Sequence, residues 1–370
     1  LKLFLRLPAV SVALALSFSL RSWAQTPAQL PPLQRVVPPF TANKLAILAK
    51  LRQKDFAGLD AEFEQYQQAF EKNPLAELNE MLAFDSFATD DVSVGDLLAQ
   101  WIKAKPKSFA ARLARGGYLS WRGWRTRGNL LDSGAAPTQS NQMQNYFVRS
   151  ADDLDAALKL RPKLSIAYAT LLSDARAEED HLAAKKIESD ALPAISSSFL
   201  IREEAMESRY PRWGGDHQAM ADFAQQSQAY AKENPCLHWL LGFVDRDEGE
   251  MLAIDGELDK SIEALTAAIK KGGDYSGFYF SRGESYLHRK RYHEALADFD
   301  RADELSPQDP ELIMRRAATF ARLERPKDAL ADLKFVAVFE ARDNFSSELY
   351  DWAVAAIKEQ EQTKHQGQNL

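Results

Sequence analysis

The chain has 370 residues, of which 45% are hydrophobic and 27% charged, and carries a net charge of −7. That much apolar surface supports a folded chain, while the negative balance repels phosphate backbones and anionic headgroups and so excludes nucleic acid as the expected partner. Cys236 is the single cysteine, which excludes a disulfide within the chain and leaves packing to hold the fold.

The first residues have the layout of an export signal. Lys2 and Arg6 supply positive charge, Leu7 to Leu20 is a short apolar run, and Ser22-Trp23-Ala24 offers small residues where a signal peptidase reads them. The run falls short of the ~20 residues that span a bilayer, so residues 1–24 are expected to be removed by cleavage after Ala24, leaving no integral membrane span. Loss of Lys2, Arg6 and Arg21 takes the net charge from −7 to −10. The mature protein is expected in the periplasm or outside the cell. Residues 25–40 carry Pro27, Pro31, Pro32, Pro38 and Pro39 and read as an extended tether.

From Thr41 the apolar pattern turns helical. Asn43 to Leu51 is followed by Phe56, Leu59, Phe63, Tyr66 and Phe70 at spacings of three and four, closed by Asn73-Pro74, which predicts a helix hairpin. Leu75 to Ala88 with Val94 to Lys105 predicts a second. A third starts at Ser108 and passes through Tyr118, Trp121 and Trp124. Turn formers between Gly128 and Gln142 predict an insertion loop, after which Leu154, Ala157, Leu160 and Pro162 close the partner helix. Further hairpins are expected at Ser165 to Leu192, Ser198 to Asn234 and Leu237 to Lys271. Cys236 is expected as a small buried hydrophobe at the start of a helix from Pro235 to Asp255. The boundary between the helical-repeat region 41–235 and a divergent hairpin at 236–275 falls there.

Residues 276–309 and 310–343 answer each other at a shift of 34 residues: Gly283 meets Ala317, Tyr286 meets Phe320, Phe299 meets Leu333, and Ala295-Leu296-Ala297-Asp298 meets the identical Ala329-Leu330-Ala331-Asp332. Tyr279-x2-Arg282-Gly283-x2-Tyr286, Ala295-x3-Phe299 and Pro307 resemble the tetratricopeptide repeat (TPR), with Arg282 in place of the usual Leu. Small residues stand where paired helices cross closely, and the aromatic ones fill the space between pairs. The resemblance implies an all-α fold, a right-handed α-α superhelix of about eight hairpins. Residues 344–360 are expected as a capping helix, because an uncapped last repeat leaves an apolar face in water, and 361–370 as a disordered tail.

The same resemblance implies that the first helix of each pair lines a concave groove. That face is expected to show Phe280, Glu284, Leu287 and His288 from one repeat and Met314, Ala318 and Arg322 from the next, a surface suited to a peptide. The lysine and asparagine clamp that some family members use for a C-terminal carboxylate is absent, with Phe280 and Glu284 in its place, which disfavours a chaperone tail.

A second resemblance covers residues 45–235. Trp121, Trp124, Arg127 and Gly128, and then Pro211-Arg212-Trp213-Gly214-Gly215, resemble the W-x2-R-G and R-W-G-G-S stretches of a bacterial family of unknown function, with Asp216 where Ser is expected. The resemblance implies helical repeats and a bacterial origin, and no activity. The two stretches crowd indole faces and guanidinium groups together, the combination used to stack on sugars or clamp carboxylates. The expectation is that they meet in space and bind a glycan-like or anionic ligand at Trp121, Trp124, Arg127, Arg212, Trp213, Gly214 and Gly215. The other reading is packing between helices.

The six histidines are scattered without metal-ligand spacing, and no phosphate loop, dinucleotide fingerprint or nucleophile elbow is present, so no metal, cofactor or catalytic residue is expected. Asp152-Asp153, Glu178-Glu179-Asp180 and Glu203-Glu204 read as solvated helix faces. The sequence therefore points to a scaffold that binds a protein or peptide in a bacterial envelope, with self-association as a further possibility. An envelope enzyme or glycan-binding protein with its site at 121–128 and 211–216 is the competing class, marked by an acid or base in a pocket beside Trp124 or Trp213.

Overall fold

The computed structural model describes residues 37–127, 137–341 and 344–367. The expected signal, most of the tether and Gly128 lie outside the described residues. Among those described, all regular structure is helical and forms a right-handed α-α superhelix of eight hairpins. They pair α1 (Lys44–Arg52) with α2 (Phe56–Lys72), α3 (Glu77–Phe84) with α4 (Val92–Ala104), α5 (Phe109–Arg127) with α6 (Pro137–Leu160), and α7 (Ser165–Ala177) with α8 (His181–Ala194). The series continues with α9 (Phe199–Glu207) and α10 (His217–Ser227), α11 (Phe243–Ile254) and α12 (Leu258–Gly272), α13 (Ser276–His288) and α14 (Tyr292–Leu305), and α15 (Pro310–Arg322) and α16 (Pro326–Phe339). The last helix, α17 (Asn344–Gly367), packs on α16.

Local chemistry starts and stops these helices. Asn43, Asp55, Asp91, Asp180, Ser198, Asp216 and Asp309 each turn a side-chain oxygen onto a free N–H of the following first turn. Within five hairpins the residue two places before the second helix is left-handed: Lys54 (φ 59°), Glu179 (58°), Gly256 (80°), Lys290 (63°) and Glu324 (55°). The last three are spaced by 34, so the turn geometry carries the repeat one hairpin upstream of its sequence match. Only Gly256 adopts that conformation without steric cost.

The crossing of α13 and α14 follows from small residues. Ala295 and its counterpart Ala329 are fully buried, and a Cβ on Gly283 would lie 2.8 Å from the Phe299 ring. Arg282, where a TPR usually has Leu, makes a two-point ion pair with Asp298 (Nε–Oδ2 and Nη2–Oδ1 both 2.8 Å). Arg316 repeats it with Asp332 at 2.8 and 2.9 Å. A planar guanidinium fork matched to a carboxylate fixes register as well as distance.

Four expectations are corrected. Helix α6 begins at Pro137, because proline is favoured in a first helical turn, so the loop ends before Gln142. Helix α17 runs to Gly367, past the point where a frayed tail was expected. Cys236 lies in a 3-10 turn, Pro235–Gly242, rather than in one continuous α-helix, and it is buried as expected, with its thiol pushed up by that burial. Asp153 is no solvated carboxylate: it is 1% exposed and accepts from Arg115 Nε (2.5 Å) and Arg112 Nη1 (3.1 Å).

The superhelix closes on itself. The Gln308 side chain accepts from the Lys44 N–H (2.9 Å) and donates to the Ala42 carbonyl (3.1 Å). The Asp90 N–H and the Thr89 hydroxyl both donate to the Phe339 carbonyl, at 2.7 and 2.8 Å. The Asp90 carboxylate in turn accepts from the Ala341 N–H (2.9 Å) and from Arg125 (3.2 Å). The first two hairpins therefore meet the last hairpin and the connector that leads into it, and the concave faces of the repeats line a shared interior.

Candidate functional site

That interior is a lumen in two compartments. The larger, about 450 Å³, is walled by the first helices of successive hairpins: Met81 and Phe84 from α3, Leu113, Trp121 and Trp124 from α5, Ile166 from α7, Leu200 from α9. The smaller, about 330 Å³, takes Val37, Leu78, Phe199, Trp239, Tyr275, Phe280 and Leu312. Met81 and Glu203 line both, so the two compartments adjoin there. The combined volume is that of a site for a small molecule or a few residues of peptide.

Six carboxylate residues face this space (Asp85, Glu203, Glu204, Asp274, Asp309 and Glu311) against two guanidinium groups, Arg176 and Arg246. Most are partnered. Glu204 binds Arg176 (2.6 Å), Asp274 binds Arg301 (2.6 Å), and Arg246 gives its Nε to Glu250 (2.7 Å). Asp85 and Glu311 keep 45% and 67% of their side-chain surface, turned toward the cavities, and each has a cation at 3.9 Å, Lys44 and Arg315; burial still pushes both carboxyls up. Glu203 is different. One oxygen accepts the Tyr275 hydroxyl, and no cation of the described residues is within 4.0 Å. Burial, with Glu207 and Glu204 adding to it, pushes its carboxyl up to about 8.

The Glu203-bearing helix is positioned from across the fold. Glu77 on α3 is 1% exposed and accepts from the Phe199 N–H (2.8 Å), the Leu200 N–H (3.3 Å) and the Ser198 hydroxyl, satisfying the first turn of α9. On the neighbouring helix, Asp174 on α7 accepts from Ser120 on α5 (2.5 Å) and Ser150 on α6 (2.9 Å), and burial pushes it up to about 7. Glu203 and Glu204 thus face the interior, where the sequence pattern predicts a solvated face. The acid pair is legible in the sequence; the enclosure that gives it meaning is not.

The two Trp/Arg stretches meet. The Arg127 guanidinium lies 5.4 Å from the Trp124 ring centre and 4.8 Å from that of Trp213, and Arg176 lies 5.9 Å from both. Trp124 turns its edge to Phe147 (6.3 Å), and Trp121 carries Arg125 at 5.5 Å. Several faces expected for a ligand are therefore covered by the chain's own arginines. Arg212 stacks on Tyr210 (4.7 Å) and pairs with Glu250 (3.2 Å). Gly214 is left-handed (φ 85°), and a Cβ on Gly215 would lie 2.0 Å from the Arg209 carbonyl oxygen, so the chain folds back tightly here. Asp216 accepts from the Ala219 N–H (2.7 Å), so this helix start is capped by its own side chain, the task Ser would perform.

The groove residues divide. Phe280 faces the smaller compartment, 6.0 Å from Phe299. Met314 faces a separate cavity of about 100 Å³ whose far wall includes Arg125, so the C-terminal repeats confront the N-terminal Trp/Arg stretch rather than open solvent. Glu284 is half-buried and stands 3.4 Å from Arg315 Nε, an ionic contact with no hydrogen bond in it. His288 and Arg322 are exposed. Exposed at its edge but partly withdrawn from water, His288 is held below the usual imidazole value by that partial desolvation and then by Arg315.

No histidine or cysteine lines either compartment, and among the described residues no group of three or more His, Cys, Asp or Glu side chains is placed to hold a metal. No described helix is long and apolar enough to cross a membrane.

No family model matches the chain, over residues 45–235 or elsewhere. Among curated proteins the chain is similar to the mitochondrial import receptor subunit TOM70 of Homo sapiens, 26% identical over 147 residues, 37% of this chain and 24% of that protein. The Rattus norvegicus protein is 26% identical over 129 residues, 34% of this chain and 21% of that protein. The chain therefore spans about a quarter of the curated relatives it matches. Among solved structures, the TPR domain of P58(IPK) aligns with a TM-score of 0.34 at 14% identity, covering 86% of this chain and 99% of that one. The APC/C hetero-tetramer Cut9–Hcn1 aligns with a TM-score of 0.35 at 14% identity, covering 77% and 56%.

Proposed function

We propose that the chain is an interaction scaffold that takes a peptide segment of a partner protein into its lumen, contacting Phe280 and the Trp121/Trp124 wall together. The observation that carries this reading is that Phe280 from the expected groove and Trp121 and Trp124 from the Trp/Arg stretch line two adjoining compartments that share Met81 and Glu203. A preformed wall of helices loses little conformational freedom on binding, and its aromatic and Met side chains suit apolar peptide residues. The excess of carboxylates over guanidinium groups favours a guest that brings positive charge. Export after Ala24 and a partner in a bacterial envelope belong to the same proposal, tested by N-terminal sequencing of the secreted protein.

An acid beside Trp124, the mark of the competing enzyme class, is met by Glu203 and Glu204. Glu204 is held by Arg176 and Glu203 by Tyr275, and the compartments offer no histidine or cysteine to share the work, which leaves a binding role as the better fit. The test is peptide-array binding to the purified chain, comparing wild type with Phe280→Asp, Trp124→Ala and the outer-surface control Leu182→Ala. Both lumen variants should lose capture while the control keeps it. Lumen variants that bind the wild-type set would overturn the reading.

A further inference from the structure

We propose that Glu203 is the recognition point for a single lysine or arginine side chain of the guest, seated where the two compartments adjoin. This rests on the lumen-binding reading and names the chemistry it selects. A guest in either compartment meets Glu203, because with Met81 it lines both. Tyr275 occupies Oε1, and Oε2 has no partner among the described residues. The charged and titratable groups facing it are Tyr275, Glu204, Glu207 and Arg246 on the protein side, with Asp85 and Arg176 on the compartment wall. Each guanidinium in that set has another carboxylate: Arg176 pairs with Glu204 (2.6 Å) and Glu207 (2.9 Å), Arg246 with Glu250 (2.7 Å).

The surroundings fit the rest of such a side chain. Met81, Phe199 and Leu200 offer apolar surface for the methylene stem, while the carboxylate takes the charged head. A charge pair formed away from bulk water gains more than one at the surface, provided both partners are satisfied. Burial keeps the Glu203 carboxyl protonated near neutral pH when no guest is present, so arrival of a cation displaces that proton to solvent. Recognition and proton release are then one event.

The test is calorimetric titration of the full chain with acetyl-Leu-Lys-Leu-amide and with its neutral norleucine counterpart at pH 7. The lysine peptide should bind about ten-fold tighter and release protons, seen as heat that changes with the buffer's ionisation enthalpy. In Glu203→Gln, of nearly unchanged shape, the two peptides should bind within about three-fold of each other, whereas Glu311→Gln elsewhere in the smaller compartment should keep the preference. Equal binding of both peptides to wild type, with loss in Phe280→Asp, overturns the role of Glu203 and leaves the lumen reading standing. Failure of both peptides to bind overturns both, and a lysine preference surviving in Glu203→Gln overturns the assignment to this residue.

Discussion

Gln308 reaches across 264 positions of sequence to accept the backbone N–H of Lys44 at 2.9 Å. Lys44 opens helix α1, so its N–H is one of the donors that a helix cannot satisfy from within. With Asn43 already turned onto Ala46, the second side-chain partner comes from the far end of the superhelix. Gln308→Ala should therefore cost about 1–2 kcal/mol of stability, two neutral hydrogen bonds' worth, measured by chemical denaturation. It should also raise the radius of gyration seen by small-angle scattering, since the seam is made of few contacts.

Asp174 gives a pH signature with a definite sign. Its folded value of about 7 lies above the ordinary carboxylate value, so the folded state binds the proton more tightly than the unfolded chain does. Its contribution is complete below about pH 4 and is lost as pH rises through about 7, on the order of 4 kcal/mol. Asp174→Asn, which stays neutral, should flatten that part of the stability profile in thermal melts taken across the range. A wild-type profile that rises between pH 4 and 7 and is unaltered by the substitution would contradict the assignment.

The turn positions make a paired comparison. Gly256→Ala places a Cβ in left-handed backbone and should cost about 1 kcal/mol, whereas Lys290→Ala, one repeat on, exchanges one L-residue for another and should change stability by less than about 0.5 kcal/mol. Equal effects in denaturant titrations would mean that the two turns differ in conformation.

Gly215→Ala should be the most damaging single methyl group in the chain's Trp213 loop. Its Cβ would have to share space with the Arg209 carbonyl, a backbone atom that cannot swing aside. A loss of more than about 2 kcal/mol is expected, with a change in tryptophan fluorescence as Trp213 moves off Arg127. Wild-type stability and emission together would contradict the geometry.

What the sequence disclosed follows the range of the interaction. Hairpin by hairpin, spacing of apolar residues and capping chemistry are local, and the Phe56 to Phe70 stripe or the Asp55 cap could be read directly. The identical Ala-Leu-Ala-Asp stretches at 295 and 329 marked a repeat, but the reason for their aspartates lay in the arginines 16 positions before them, Arg282 and Arg316. The closure was not legible, because it depends on small rotations added from hairpin to hairpin until Phe339 in the last arrives at Asp90 in the second. For the same cause Glu203 read as one more exposed acid. The side of a helix that faces an enclosed interior has the same period as the side that faces open water.

The closed lumen is the premise of everything proposed for binding, and the Lys44 amide reports on it directly. Its hydrogen exchange, followed by NMR in wild type and in Gln308→Ala, should be about 100-fold or more slower than that of an unprotected amide in wild type, with the protection lost in the variant. Fast exchange in both proteins, with core amides such as those of α14 still protected, would show that the two ends of the superhelix stand apart and that no common interior exists.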